Sequence, residues 1–238
     1  MTEKRGLFRR FLDEPKSLYI ARPDGRLNDL IFKHPDVSIP RGAKLTVRAS
    51  ECALFFREGR CIGRIDPGTV ALDTANIPFL GHLVVDSLTG ANHFLCELFF
   101  VSTKETTLRV PREHGNDASA AAHEAGSSLA LGQYRDLSSD NVVTIRGSLS
   151  YTIEVTDPIT LVKKLAGQST VASDEVEQVL AGRLLSLLRQ EVGRRVQSIP
   201  VLDVVSNAYA EDMSNDLKKV CSEEFGILGV GVGRMFNL

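Results

Sequence analysis

Four groups of residues in this 238-residue sequence have side-chain types that could do chemistry. Glu113, His114, His123 and Glu124 are potential metal ligands, but their spacing matches no compact site. His-Glu-Ala-Gly at 123–126 lacks the second histidine of HExxH, so a solvated loop is expected there. Gly229, Gly231 and Gly233 suggest a dinucleotide loop, which requires a helix to open directly after it so that the phosphates meet the helix N-terminus. Here only five strand-like residues follow Gly233, which predicts a glycine-punctured strand instead. Asp66 and Asp73 both stand beside turn residues and read as turn formers rather than an acid/base pair. Cys52, Cys61, Cys96 and Cys221 lie among apolar neighbours, the setting of inert thiols. They form no CxxC pair for zinc or thiol exchange. GxxxxGKS/T and GxSxG are also missing. The expectation is a protein that is not an enzyme, with no catalytic, cofactor-binding or metal-binding residue and no cofactor.

Composition agrees with that expectation. Lys and Arg total 28 against 30 Asp and Glu, a formal charge of −2, so no strong overall field favours nucleic acid. The basic residues do not alternate with aromatics, which argues against a single-strand nucleic-acid track. Hydrophobic residues at 43% and charged residues at 24% are ordinary for a folded chain. The length suffices for one large or two small domains. Four scattered cysteines suit a reducing, cytoplasmic setting rather than a disulfide scaffold.

The elements follow from hydrophobic period and turn chemistry. Leu18 to Val110 reads as a series of strands, among them 28–33, 44–48, 53–57, 61–65, 70–74 and 94–101. Glu58-Gly59-Arg60 suggests a hairpin turn, Asp66-Pro67-Gly68 a second turn. The almost wholly apolar run 94–101 predicts a strand covered on both faces. Residues 77–88 carry apolar side chains at helical spacing with Asn76 as N-cap. Residues 111–128, rich in Ala, Ser, Gly and His, lack large apolar side chains and read as a loop. Val143, Ile145, Leu149, Tyr151, Ile153 and Val155 share odd parity, predicting one long strand over 142–155 with one dry face, interrupted only at Gly147.

Asp157-Pro158 opens a short helix, Asp as N-cap and Pro in the first turn, closed at Gly167. A helix over about 173–198 carries the stripe Val176, Val179, Leu180, Leu184, Leu187, Leu188 and Val192, with Arg183, Arg189, Arg194 and Arg195 on the remaining positions. The stripe is read as core packing, with a partner helix as the alternative. A second helix over 207–225 presents Tyr209, Met213, Leu217, Val220 and Cys221, and 227–236 reads as a final strand.

The N-terminus carries a local pattern that the net charge conceals. Leu7, Phe8, Phe11 and Leu12 fall on one helical face, with Lys4, Arg5, Arg9 and Arg10 around them and Pro15 as the stop. Two readings stand: a basic amphipathic foot on a membrane surface, or a short helix docked on the domain or a subunit through its apolar face. Leu7, Phe8, Arg9, Arg10, Phe11 and Leu12 are therefore the candidate contact residues. No apolar run approaches the roughly 20 residues a spanning helix needs.

Three segments carry a resemblance. The first is LIFKHPDVSIPRGAKLTVRASECALFFREGRCIGRIDPGTVALDTANIPFL at 30–80. The second is HFLCELFFVSTKE at 93–105. The third is VTIRGSLSYTIEVTDPITLVKKL at 143–165, similar to the pattern R-x-x-x-x-Y-x-I-x-x-x-D-P. Together they resemble the SPFH or Band 7 superfamily of stomatins, prohibitins and flotillins, and in particular its soluble bacterial branch, the virion-core-protein-like proteins. The resemblance implies an α+β fold: an antiparallel β-rich N-terminal part, then an SPFH/Band 7-like α/β part with a long amphipathic helix and a C-terminal strand. It implies four regions: the amphipathic helix at 1–16, a β-rich first half at 17–110, the loop at 111–128 and a second half at 129–238. The expected role is a self-associating, non-enzymatic scaffold at or near the inner face of a membrane, cytoplasmic or peripheral. Its expected partners are copies of itself, other proteins and an anionic membrane surface, and no nucleic acid. Unlike many superfamily members, the sequence has no N-terminal hydrophobic hairpin and no coiled coil after Leu238, and unlike many of that branch no zinc ribbon.

A cytoplasmic protein-binding adaptor, or a structural subunit of a larger assembly without membrane contact, is the alternative. Its contact would be the 111–128 loop or the Arg-bearing face of the long helix. A deep polar pocket with clustered ionisable groups would instead favour an enzyme or ligand-binding protein.

Overall fold

A computed structural model describes residues 19–83, 93–110, 129–165 and 173–236. The described residues divide into two units, one drawn from Met1–Asn28 and Lys33–Phe100, the other from Asp29–Phe32 and Val101–Leu238. The class is α+β, with the helices following the strands and a strand at the end.

The first stretch holds β1 (Tyr19–Ala21), β2 (Ile31–Lys33), β3 (Ser38–Pro40), β4 (Lys44–Val47), β5 (Glu51–Arg57), β6 (Arg60–Ile65), β7 (Gly68–Ala71), β8 (His93–Leu95) and β9 (Glu97–Ser102). A four-stranded sheet runs in the order β2-β9-β5-β6, beside β1-β4-β7 and the pair β3-β8. The pairing is antiparallel for β5 with β6, β4 with β7 and β3 with β8, but β1 joins β4 in parallel. Cys52 to Phe56 and Leu98 to Val101 are all buried, so β5 and β9 are covered on both faces. The single covered strand expected over 94–101 is instead two strands in two sheets, β8 and β9, and Leu95 at the end of β8 is 45% exposed. The β5–β6 connection is tight because Glu58 and Gly59 both adopt positive φ, 52° and 74°, the backbone that matches hairpin twist.

Where residues 77–83 are described, they do not form the expected α-helix. A 3₁₀ helix spans Pro78–Leu83, and residues 84–92 lie outside the described set. Asn76 is not the cap. Asp73 organises the turn, its carboxylate accepting the Ala75 N–H (3.3 Å) and its carbonyl those of Asn76 (3.1 Å) and Ile77 (2.8 Å). The 3₁₀ helix places Phe79 on Phe55, ring centroids 5.4 Å apart. Gly63 is the cross-strand partner of Phe55, and a β-carbon there would come within 2.5 Å of the Phe79 ring. Gly63→Ala is therefore expected to push Phe79 off its seat at a cost of about 1–3 kcal/mol. A chemical-denaturation midpoint matching wild type would refute this.

The second stretch holds β10 (Thr106–Val110), β11 (Leu129–Arg135), β12 (Val142–Gly147), β13 (Leu149–Val155), α1 (Pro158–Leu165), α2 (Ser173–Arg195), α3 (Val201–Val204), α4 (Asn207–Gly226) and β14 (Val230–Phe236). The single strand expected over 142–155 is two strands in two sheets. β12 pairs with β11, whereas β13 lies between β10 and β14. The chain changes partners at Gly147-Ser148, and the odd register survives the change: Ile145, Leu149, Tyr151, Ile153 and Val155 are all buried. Because β13 is central, its even-numbered Ser150 and Thr152 are covered too, and Thr152 Oγ1 accepts the Arg234 N–H at 2.8 Å.

Helix α1 begins as its Asp-Pro predicts. The Asp157 carboxylate accepts the N–H of Ile159 (3.1 Å), the N–H of Thr160 (3.0 Å) and the Thr160 hydroxyl (2.6 Å). The Thr160 hydroxyl chiefly, with these amides, holds the Asp157 carboxyl below its ordinary range. A depressed folded value means that the cap's stabilisation is present above the unfolded pKa of about 3.9 and disappears as pH falls through the folded value. Asp157→Ala should cost about 1 kcal/mol at neutral pH. That difference from wild type should vanish in strong acid, as denaturation at a series of pH values would show; a pH-independent difference would contradict it.

On α2, Val176, Leu180, Leu184, Leu188 and Val192 are buried; on α4, Met213, Leu217, Cys221 and Phe225 are. The expected faces are narrower than the sequence implied. Val179 is 40% and Val220 43% exposed, and Leu187 and Tyr209 are half-buried. The helices run antiparallel, since Arg183 meets Glu224 while Arg195 meets Asp216. Tyr151 of β13 packs edge-on against Phe225 of α4, 6.4 Å between centroids, anchoring the pair to the sheet.

Candidate functional site

Two of the depressions on the second unit are bounded by α2 and α4. The first is a groove of about 390 Å³ whose floor is Leu187, Leu217 and Val220. Its rim is an ion-pair network. Arg194 and Arg195 both reach Glu191, at 2.7 and 2.8 Å, and Arg195 also reaches Asp216 at 2.9 Å. These contacts hold the Glu191 carboxyl below its ordinary range, the Arg194 bond foremost. Arg183 pairs with Glu224 at 3.5 Å, and Arg189 donates to the Ala130 carbonyl on β11 at 3.1 Å. All four arginines of the long helix thus bind within the fold, tying α2 to α4 and to β11.

The second depression is a cleft of about 140 Å³ where β11, β12, α2, α3 and α4 converge. Leu131, Ile145, Leu188, Val192, Val204 and Met213 line it, each 1–7% exposed. Arg146, Ser148 and Val205 line it too, and all three are exposed. The wall contributed by α3 is held by a long-range cap. The Asp136 carboxylate, at the end of β11, accepts the Val201 N–H (2.9 Å) and both the N–H (2.9 Å) and hydroxyl (2.8 Å) of Ser139. The Val201 bond chiefly holds the Asp136 carboxyl below its ordinary range. The sequence reading contained neither α3 nor this cap, because Asp136 and Val201 are 65 positions apart.

Those residues first considered for chemistry that are described each sit in a local setting of their own. Asp66 pairs with Arg64 at 2.7 Å, and Asp73 sits in its own turn with Arg41 at 3.3 Å. Burial pushes the thiols of Cys52 up to about 11 and of Cys96 and Cys221 up to about 12, far from the thiolate that nucleophilic or metal chemistry requires. Gly231 and Gly233 lie within the strand β14 and not in a loop that opens a helix; a β-carbon on Gly233 would overlap the Thr152 hydroxyl. Among the described residues no three His, Cys, Asp or Glu gather as metal ligands, and no helix is long and apolar enough to cross a membrane. Glu113, His114, His123 and Glu124 lie outside the described residues, as do the contact candidates Leu7, Phe8, Arg9, Arg10, Phe11 and Leu12.

Sequence reasoning also missed the most deeply buried charges of the first unit. Arg22, 2% exposed, pairs through Nε with Glu51 Oε2 at 3.2 Å, Glu51 being 3% exposed. Arg22 Nη2 donates to the Phe100 carbonyl at 2.7 Å, and Glu51 Oε1 accepts the Arg48 N–H at 2.9 Å. The one local signal was Glu51 itself, a carboxylate heading the apolar run Cys52–Phe56.

The span from β2 to just past β10 contains most of these strands and carries the likeness to known proteins. Residues 31–111 match the family described as SPFH domain-Band 7. This SPFH/Band 7 match takes in the first two segments that carried the resemblance and covers about a third of the chain. A relative in Bacillus subtilis (strain 168), "Uncharacterized protein YdjI", is 27% identical over 165 residues. That alignment covers 68% of this chain and 45% of the relative, so the chain spans about half the length of the protein it resembles.

Proposed function

We propose that the chain is a non-enzymatic SPFH/Band 7-type scaffold, of the virion-core-protein-like kind, that self-associates and organises proteins at or near the inner face of a membrane. The observation that carries this reading is the SPFH/Band 7 match over 31–111. The basic apolar run Leu7–Leu12 is its membrane or subunit contact. Light scattering of the purified chain at tens of micromolar should give a mass several times 26.0 kDa, and the chain should sediment with anionic liposomes. A strict monomer that ignores such liposomes would sink both halves of the reading. Replacing Phe8 and Phe11 by Ser should abolish liposome binding and leave Tm unchanged; a large loss of Tm would identify the segment as docked core instead.

The adaptor reading keeps one specific support. Val179 and Val220 are exposed apolar residues on the two helices that border the larger groove. Its arginines being engaged, that face would recognise a partner by apolar contact more than by charge.

A further inference from the structure

The stretch 200–206 stands between two long helices and breaks the helical path at both ends. Pro200 has ψ of 143° and Ser206 ψ of 151°, extended backbone on either side of the four residues of α3. The hydrogen bonds of the stretch close on themselves. The Asp203 N–H (3.0 Å) and Val204 N–H (3.1 Å) donate to the Pro200 carbonyl, and the Val205 N–H donates to the Val201 carbonyl at 3.1 Å. The Ser206 N–H (3.1 Å) and hydroxyl (2.7 Å) both donate to the Asp203 carbonyl. Among the described residues one hydrogen bond runs from 201–205 to another element, the Val201 N–H donating to Asp136 at 2.9 Å. Val201 and Val204 are buried, whereas Leu202 is 78% and Val205 54% exposed. Two buried valines and one long-range bond thus fasten α3, while strand ladders and the Tyr151–Phe225 contact fasten β13 and α4. A segment fastened this lightly opens before the whole fold does.

We propose that α3 is a lid on the smaller cleft, hinged at Pro200 and Ser206 and latched by the Asp136–Val201 bond. Closed, it supplies Val204 and Val205 to the cleft wall. Open, it bares the apolar wall that Leu188 and Val192 of α2 and Met213 of α4 contribute. The latch sits at the end of β11, where the same carboxylate also holds the hairpin loop through the N–H and hydroxyl of Ser139. A change at the hairpin end therefore reaches the cleft wall through one side chain. The lid lies outside the SPFH/Band 7 match, which ends at residue 111, and does not rest on the scaffold reading.

The test is thiol trapping in the full chain carrying Val204→Cys, with modification at each cysteine read by mass spectrometry. Cys221, fully buried on α4, is the internal reference. The thiol at 204 should be modified at least about tenfold faster than Cys221, through a local opening rather than global unfolding. Its rate should not respond to urea well below the unfolding midpoint, because a lid that opens alone exposes little surface. Adding Asp136→Ala should speed modification at 204 about fivefold, the effect of losing one helix cap. Equal rates at 204 and 221, or a urea dependence at 204 as steep as at 221, overturn the lid. An unchanged rate at 204 in the Asp136→Ala background overturns the latch. Should Val204→Cys fail to fold, hydrogen exchange of the wild-type chain decides. The Val205 amide should then exchange by a urea-independent opening and that of Ile153, buried in β13, through global unfolding, and a urea dependence shared by the two overturns the proposal.

Discussion

Replacing Arg22 by Met should lower the stability of the first unit by about 3–5 kcal/mol, the penalty of stranding one member of a buried ion pair. Glu51 would remain 3% exposed with its charge, keeping the Arg48 N–H but losing the guanidinium. The Phe100 carbonyl on β9 would lose the Arg22 guanidinium at the same stroke. The pair joins the residue after β1, the first residue of β5 and the middle of β9, so its loss should appear as faster amide exchange along β5 and β9. The double replacement Arg22→Met with Glu51→Leu should recover much of the loss, because an apolar pair leaves no charge to solvate. A single replacement that shifts the urea midpoint by the equivalent of less than 1 kcal/mol, at unchanged m, would show that water reaches Glu51.

Gly229→Ala should cost about 2–5 kcal/mol, summing a strained backbone and an overpacked site. Gly229 adopts φ of +77°, in the left-handed region, and a β-carbon there would overlap the Asp157 carbonyl oxygen. Its own carbonyl accepts the N–H of Thr156 (2.9 Å) and of Asp157 (3.0 Å), so the turn after α4 cannot move away without releasing the start of α1. Gly226, three residues earlier, is the control. It ends α4, and nothing lies within 4 Å of its would-be β-carbon. Gly226→Ala should therefore be neutral or stabilising by up to about 1 kcal/mol. Equal thermal shifts for the two variants would refute the geometric account, since the substitutions are chemically identical.

These two sites differ in how far the sequence announced them. Gly229 stood out as one of three alternating glycines, and the lack of a following helix already argued against a phosphate loop. Only the structure separates the three by cause: positive φ and a carbonyl at Gly229, the Thr156 methyl 3.1 Å from a β-carbon at Gly231, the Thr152 hydroxyl at Gly233. Arg22 carried no local mark at all. Its partners Glu51 and Phe100 are 29 and 78 positions away, and a polar residue after a short strand looks the same whether solvent or a carboxylate awaits it.

The arginines of α2 make the same point about function. Their spacing on the open side of an apolar stripe reads equally as a basic docking face or as an internal clamp. Glu191 meets Arg194 and Arg195 from the same helix, but Glu224 and Asp216 on α4 and the Ala130 carbonyl on β11 hold Arg183, Arg195 and Arg189, and tertiary packing makes them a clamp.

The sequence by itself determined what depends on neighbours a few positions apart. That includes the buried run of β9, the 58–59 hairpin turn, the Asp157 cap of α1, the buried core of the α2 and α4 stripes and the Band 7 resemblance, matched over 31–111. Period and turn chemistry encode which face of an element is dry, and they do so locally. The tertiary structure alone decided which dry faces meet. It split 142–155 between two sheets, buried Arg22 with Glu51, and capped Val201 from Asp136. It also left a cleft where five elements fail to close completely. Each of these depends on contacts between residues far apart in the chain, and such contacts leave no periodic trace in the sequence around them.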